Sequence, residues 1–222
     1  MIKDSHSPFL MDWAVTASPP PQEMARAEQT KLLELPVPQT QGGKFLMQAL
    51  HDRCSSREFS RSGLPTQVLS NLLWAAFGVN RPESGGRTAP SAQHWQEIDV
   101  YVCLEEGLFV YDASGHVLRL LLQRDIRALT GLQPFVVDAP VNLVYVADYS
   151  RTRDAGEEER HLYCGADTGF ISQNVYLFCA SEGLATVVHG AINRPALAQA
   201  MKLAAHQRVI LAQTVGYPAR LH

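Results

Sequence analysis

The chain has 222 residues, 46% of them hydrophobic and 18% charged, and a formal net charge of −3. That length and balance suit one large globular domain with a substantial core. They offer neither the basic field that nucleic acid needs nor an apolar run of roughly 18 residues that could cross a bilayer.

No basic leader precedes an apolar stretch, so the sequence reads as cytoplasmic. The four cysteines show no C-x-x-C spacing and fall inside apparent helices and strands. Cys54, Cys103, Cys164 and Cys179 are therefore expected to be buried and reduced, with no disulfide framework and no metal site.

Residues 1–43, with Pro19-Pro20-Pro21, Pro36, Pro38 and Gly42-Gly43, read as an extended N-terminal arm that either stays mobile or wraps a partner. An amphipathic patch from Glu23 to Leu35 predicts a short helix inside it. Residues 44–222 form the domain proper. Phe45, Leu46, Ala49 and Leu50 recur at helical spacing and predict a helix over 44–52 that delivers Arg53 to its end. A second helix follows Pro65, carries Val68, Leu69, Leu72, Leu73, Ala76 and Phe77, and stops at Gly78. Residues 80–93, rich in Gly, Pro and Ser, predict a loop.

Strands are predicted over 98–104, 108–111 and 117–122, then a short helix over 124–131. Val141 to Ala147 is an apolar run expected of a central strand covered on both faces. Glu157-Glu158-Glu159 reads as a solvated loop. A long helix over 160–182 aligns Ala166, Gly169, Phe170, Gln173, Asn174, Leu177 and Ala180 on one stripe, suited to a dimer seam or to a tight intrachain core. A brief strand at 186–188, a helix at 195–201 and a closing strand at 209–215 complete the chain. Hairpin strands mixed with single helices point to an α+β sheet flanked by helices.

The chemistry concentrates at Arg53-Cys54-Ser55-Ser56-Arg57-Glu58-Phe59. Two forked guanidinium groups bracket hydroxyls at a helix end, as a phosphate requires, and each charge-assisted bond contributes roughly 1.5–3 kcal/mol. The other reading is a plain helix end whose arginines face the last carbonyls. Neither G-x-G-x-x-G nor G-x-x-x-x-G-K-[ST] occurs, so a phosphate would be held by side chains. There is no G-x-S-x-G or H-E-x-x-H either.

Arg53-x-Ser55-x-Arg57-x-Phe59, Arg87-Thr88-Ala89-Pro90-Ser91-Ala92 and Gly183-Leu184-Ala185-Thr186-Val187-Val188-His189-Gly190-Ala191, in this order, resemble the FMN-dependent nitroreductase superfamily. Trp74-Ala75-Ala76-Phe77-Gly78 together with Arg87-Thr88-Ala89-Pro90-Ser91 is most similar to its SagB-type branch. The resemblance covers roughly residue 44 to the end. It implies a nitroreductase-like fold, with a mostly antiparallel central sheet flanked by helices, in an intertwined homodimer.

It also implies FMN as cofactor, bound by residues 53–57, 90–94 and 188–191. Arg53, with Cys54 and Ser55, would hold the phosphate or ribityl end, and Arg57 would face the N1 and C2 edge of the ring. Pro90, Ser91, Ala92 and His94 would reach the flavin of the other protomer, although His94 stands where the motif usually has asparagine. Val188, His189, Gly190 and Ala191 would pass near N5, Gln133 would face the pyrimidine edge, and Arg220 the phosphate.

The implied activity is ping-pong hydride transfer from NAD(P)H to a nitroaromatic or quinone, with no catalytic side chain. A SagB-type dehydrogenase acting on a peptide-derived substrate, or a flavin-binding protein without turnover, are the alternatives.

Overall fold

The computed structural model describes residues 31–152 and 155–219. In chain order the elements are β1 (Leu32–Glu34), α1 (Leu46–Asp52), α2 (Thr66–Phe77), a small hairpin of β2 (Val79–Arg81) and β3 (Gly86–Arg87), then β4 (Ile98–Leu104), β5 (Gly107–Asp112), β6 (Val117–Leu122), β7 (Val141–Asp148), α3 (Glu157–Glu182), β8 (Ala185–His189), α4 (Arg194–Ala200) and β9 (Gln207–Gly216). Seven strands form one sheet in the order β1-β6-β5-β4-β7-β9-β8. Each pairing is antiparallel. This is the expected α+β architecture.

The apolar run of β7 makes it the middle of the sheet, between β4 and β9. Strand alternation sends Leu143, Tyr145 and Ala147 into the larger core with α2 and α3, and Val144 and Val146 into a second core beside Leu197 of α4. A third, small cluster of Phe59, Ala139, Ala185 and Val187 closes the end of the sheet where β8 is the edge strand. That edge is where the segment after α1 docks.

Several expectations need correction. Leu32–Glu34, inside the helix expected over 23–35, is a strand paired with β6, because three residues of exposed backbone gain ladder hydrogen bonds there. The loop over 80–93 contains the β2–β3 hairpin. The helix expected over 124–131 shrinks to a single 3-10 turn at Arg127–Leu129.

α3 begins at Glu157 rather than at residue 160, since three glutamates in the first turn complement the positive end of the helix dipole. It ends at Gly183, whose φ of 69° is the left-handed cap that glycine adopts most cheaply. Its buried face carries Cys164, Asp167, Thr168, Ile171, Ser172, Val175, Tyr176 and Cys179. The stripe picked out from sequence is the other face: Gly169, Phe170 and Gln173 are exposed, and Ala166, Asn174, Leu177 and Ala180 half-buried. Of the four cysteines, Cys54 is exposed, because it lies in the segment after α1 and not inside an element.

Candidate functional site

α1 ends at Asp52 and hands the chain to Arg53, as the helical spacing predicts. The following residues run alongside the edge of the sheet. Ser56 N–H donates to Thr186 O at 2.9 Å, Ser60 N–H to Tyr217 O at 2.8 Å, and Phe59 bridges Pro218. The segment is thereby docked against β8 and the end of β9.

Tyr176, from α3, stands at the centre of this arrangement. Its hydroxyl lies 2.8 Å from Ser55 Oγ and accepts the Val188 N–H at 2.9 Å. Its ring lies 5.3 Å beneath the Arg53 guanidinium, a cation–π contact. The guanidinium thus sits over an aromatic face and not over the last carbonyls of α1.

The adjacent Asp52 is already engaged by Lys44, Gln48 and His51. The His51 hydrogen bond, followed by that of Lys44, holds its carboxyl down to about 2. Neither Arg53 nor Arg57 has an ion pair among the described residues. Two cations unpaired among the described residues, two hydroxyls and an exposed thiol, Cys54, therefore share one short segment.

Residues 188–191 and Gln133 arrive at the same end of the sheet. Leu132 N–H donates to Ala191 O at 2.9 Å, and Phe135 stacks edge-on with His189 and tilts against Phe59. Gln133 Oε1 is buried with no donor among the described residues. His189 Nε2 lies 3.1 Å from Thr214 Oγ1, whose own proton goes to Asn142 Oδ1 at 2.6 Å, while Asn142 Nδ2 donates to Val136 O. The proton count fixes the tautomer: Nε2 donates, and buried Nδ1 is left as an unpartnered acceptor. Burial lowers the imidazole to about 4, so the ring is neutral.

Strand alternation assigns the β8 amides. Thr186 and Val188 turn their backbone polar groups to the free edge, where Ser56 and Tyr176 take them. Val188 N–H is committed to Tyr176, which leaves Gly190, two residues on, as the next edge amide. No acceptor for the Gly190 or Ala191 amide occurs among the loop hydrogen bonds of the described residues.

The Pro90–His94 segment lies elsewhere. Ala92 N–H donates to Asp167 Oδ2 at 2.8 Å, nine residues before Tyr176 on α3. Nine residues span about 13 Å and half a rotation, which places the loop and the Arg53 segment on opposite margins of the buried face. His94 is exposed, with Nε2 3.2 Å from Gln96 Nε2. Arg220 lies outside the described residues.

A cavity of about 120 Å³ opens between Cys54, Ser56, Tyr176, Thr186 and Pro218. A larger one of about 530 Å³, bounded by residues 39–43, α2 and α3, contains none of the expected site residues. Sequence reasoning missed Tyr176. Its neighbours in the sequence give no sign of it, because it meets Ser55 across 121 residues.

Residues 50–217 match a family model described as the nitroreductase family. A nitroreductase-family protein of Methanocaldococcus jannaschii is 33% identical over 181 residues, covering 77% of this chain and 90% of that protein. A crystal structure of a nitroreductase-family protein from Ralstonia eutropha superposes with a TM-score of 0.82 at 45% identity, covering 86% of this chain and 90% of the other. The NADPH:FMN oxidoreductase of Vibrio harveyi shares the fold, with a TM-score of 0.59 at 19% identity over 79% of this chain and 69% of that one.

Proposed function

The chain belongs to the nitroreductase family, and from that premise we propose that it is a homodimeric FMN-dependent oxidoreductase that accepts hydride from NAD(P)H and passes it to an electron-poor acceptor such as a nitroarene or quinone. One observation carries the reading. Four groups without partners among the described residues, Arg53, Arg57, Gln133 Oε1 and the Gly190 amide, belong to segments that meet at the free edge of β8.

Their chemistry fits this cofactor. Arg53 and Ser55 offer a phosphate a cation and a hydroxyl, already oriented by Tyr176. Gln133 Oε1 is a buried acceptor that a ring N–H would satisfy. Bound FMN would supply reversible two-electron hydride chemistry, which no side chain here can perform. Arg57 supplies a cation for charge on the pyrimidine edge. At about 4 Å and an effective dielectric near 20, one such charge contributes roughly 4 kcal/mol before desolvation is subtracted.

The site is completed by a second copy. Pro90, Ser91, Ala92 and His94 are too far along α3 to reach their own Arg53 segment, so they serve the partner's. The face of α3 that carries Leu162, at 66% exposure, and Phe170, at 47%, forms the contact between copies. The core domain is residues 44–222, with residues 1–43 as an arm, and the SagB-type branch is the subgroup we assign.

The test is spectroscopic. Purified protein should be yellow, and its flavin absorbance should bleach anaerobically with NADH or NADPH. Flavin that binds but is reduced by neither nicotinamide would exclude them as donors, and protein that cannot be loaded with FMN would overturn the reading.

A further inference from the structure

The turn that follows Gln133 is held from inside the core. Val136, in the 3-10 turn Pro134–Val137, donates its N–H to Gln133 O at 3.4 Å and offers its own carbonyl to Asn142 Nδ2 at 2.7 Å. Asn142 is fully buried on β7, directly opposite Thr214 of β9 in the strand register. Thr214 Oγ1 donates to Asn142 Oδ1 at 2.6 Å, and His189 Nε2 lies 3.1 Å from the same hydroxyl. One buried relay thus runs from the Gln133 turn to the last residue of β8.

Its direction is set at one end. A carbonyl can only accept, so Val136 O obliges Asn142 to turn its NH2 there and its oxygen to Thr214. Thr214 must then donate, which leaves its oxygen to accept the His189 Nε2–H. Shape holds the same ring to the turn. Phe135 meets it edge-on with centroids 5.6 Å apart, and a Cβ on Gly131 would stand 2.8 Å from its Cε1 and 2.9 Å from Val136 Cγ1. Moving the turn therefore means moving the ring. Past the ring the chain enters Gly190 and Ala191, and the Leu132 N–H ties Ala191 O back to the turn at 2.9 Å.

The geometry points to Asn142 as a positioning residue: its amide joins the Gln133 turn and the His189 ring into one unit, and so sets Gln133 Oε1 and the Gly190 amide at a fixed spacing for the flavin ring. This rests on the function proposed above. Asn142 acts only through Val136 and Thr214, its hydrogen-bond partners. An apolar side chain of similar size at this position leaves Val136 O without its donor and the Thr214 proton without its acceptor. That proton has another acceptor within reach in His189 Nε2, once the ring carries its own proton on Nδ1. Breaking the relay at Asn142 should therefore exchange the tautomer of His189.

Wild type, Asn142→Leu and Leu118→Ala should be compared as full chains. Leu118 is fully buried on β6, toward the opposite edge of the sheet, so its truncation costs stability without touching the relay. Two quantities are read beside the thermal midpoint: the His189 tautomer, by nitrogen NMR of labelled histidine with His189→Phe for assignment, and FMN affinity, by titration of flavin-stripped protein. Wild type and Leu118→Ala should carry the ring proton on Nε2, and Asn142→Leu on Nδ1. FMN affinity should fall about five- to tenfold in Asn142→Leu, the equivalent of one neutral hydrogen bond, and hold its wild-type value in Leu118→Ala.

Unchanged affinity in Asn142→Leu, or a loss that Leu118→Ala shares, would overturn the positioning role. An Asn142→Leu protein that kept the proton on Nε2 would overturn the relay through Thr214. If wild type did not bind FMN, the functional reading would fail and the positioning role with it, while the tautomer would still report the relay. Should Asn142→Leu fail to fold, Thr214→Val removes only the middle hydroxyl at nearly equal volume. Its FMN affinity should also fall, and a wild-type affinity would overturn the proposal.

Discussion

Ser55 Oγ and Tyr176 Oη are 2.8 Å apart, and the same tyrosine oxygen takes the Val188 N–H at 2.9 Å. One hydroxyl thereby ties the cationic segment after α1 to the edge of β8. Tyr176→Phe keeps the ring under Arg53 but leaves the Val188 N–H without its acceptor, at about 1–3 kcal/mol. At roughly 2–4 °C per kcal/mol for a chain of this size, the thermal midpoint should drop by several degrees. FMN affinity should fall with it. Tyr176→Leu should lose about a further 0.5–1 kcal/mol as the cation–π contact disappears. A Tyr176→Phe protein with wild-type midpoint and affinity would contradict this role.

Arg53 and Arg57 differ in what surrounds them, so their removal should differ too. Arg53 is fixed over an aromatic face, whereas Arg57 is exposed and has no ring beneath it among the described residues. Arg53→Ala is expected to weaken FMN binding by about 10- to 100-fold, the equivalent of one charge-assisted bond. Arg57→Ala should mainly lower the flavin reduction potential, with a smaller effect on affinity. Titration of flavin-stripped protein and a redox titration separate the two effects, and identical behaviour of the two variants would rule out the division of roles.

His189 should make the fold acid-sensitive. Its imidazole is 7% exposed and depressed by burial to about 4 from an ordinary 6.5. The stability gained from keeping it neutral is present above about 6.5 and lost as pH falls through about 4. It amounts to about 3 kcal/mol at most. Replacing His189 by Phe removes the titration along with the Thr214 hydrogen bond. The wild-type advantage over His189→Phe in denaturant unfolding should therefore shrink below pH 6.5.

Under the proposed pairing through α3, Phe170→Glu should yield a monomer. The substitution places a charge on the exposed face of α3 without touching the core beneath, where Ile171 and Val175 are buried. Sedimentation should show the change in mass, and flavin affinity should fall with it if the Pro90–His94 loop of one copy completes the site of the other. A variant that remains dimeric would place the contact on another surface.

What the sequence determined by itself is what short-range physics controls. The alternating strands β4 and β6, the apolar run of β7, the stop of α2 at Gly78 and the placement of Arg53 just past α1 all follow from periodicity and local backbone preference. The ordered motifs around Arg53, Arg87 and Gly190 were enough to indicate the family. Local signals misled where a partner distant in the chain overrides them. Leu32–Glu34 became a strand because β6 offered it an edge.

Only the tertiary structure decided how the site is assembled. It commits the Val188 amide to Tyr176, turns the His189 ring inward to Thr214, and sets the Ser91–Ala92 loop on two buried carboxylates, about 13 Å along α3 from Arg53. These contacts join residues separated by 6 to 75 positions. They depend on which oxygen or nitrogen is still unsatisfied once the sheet has formed, and that inventory does not exist until the chain is folded.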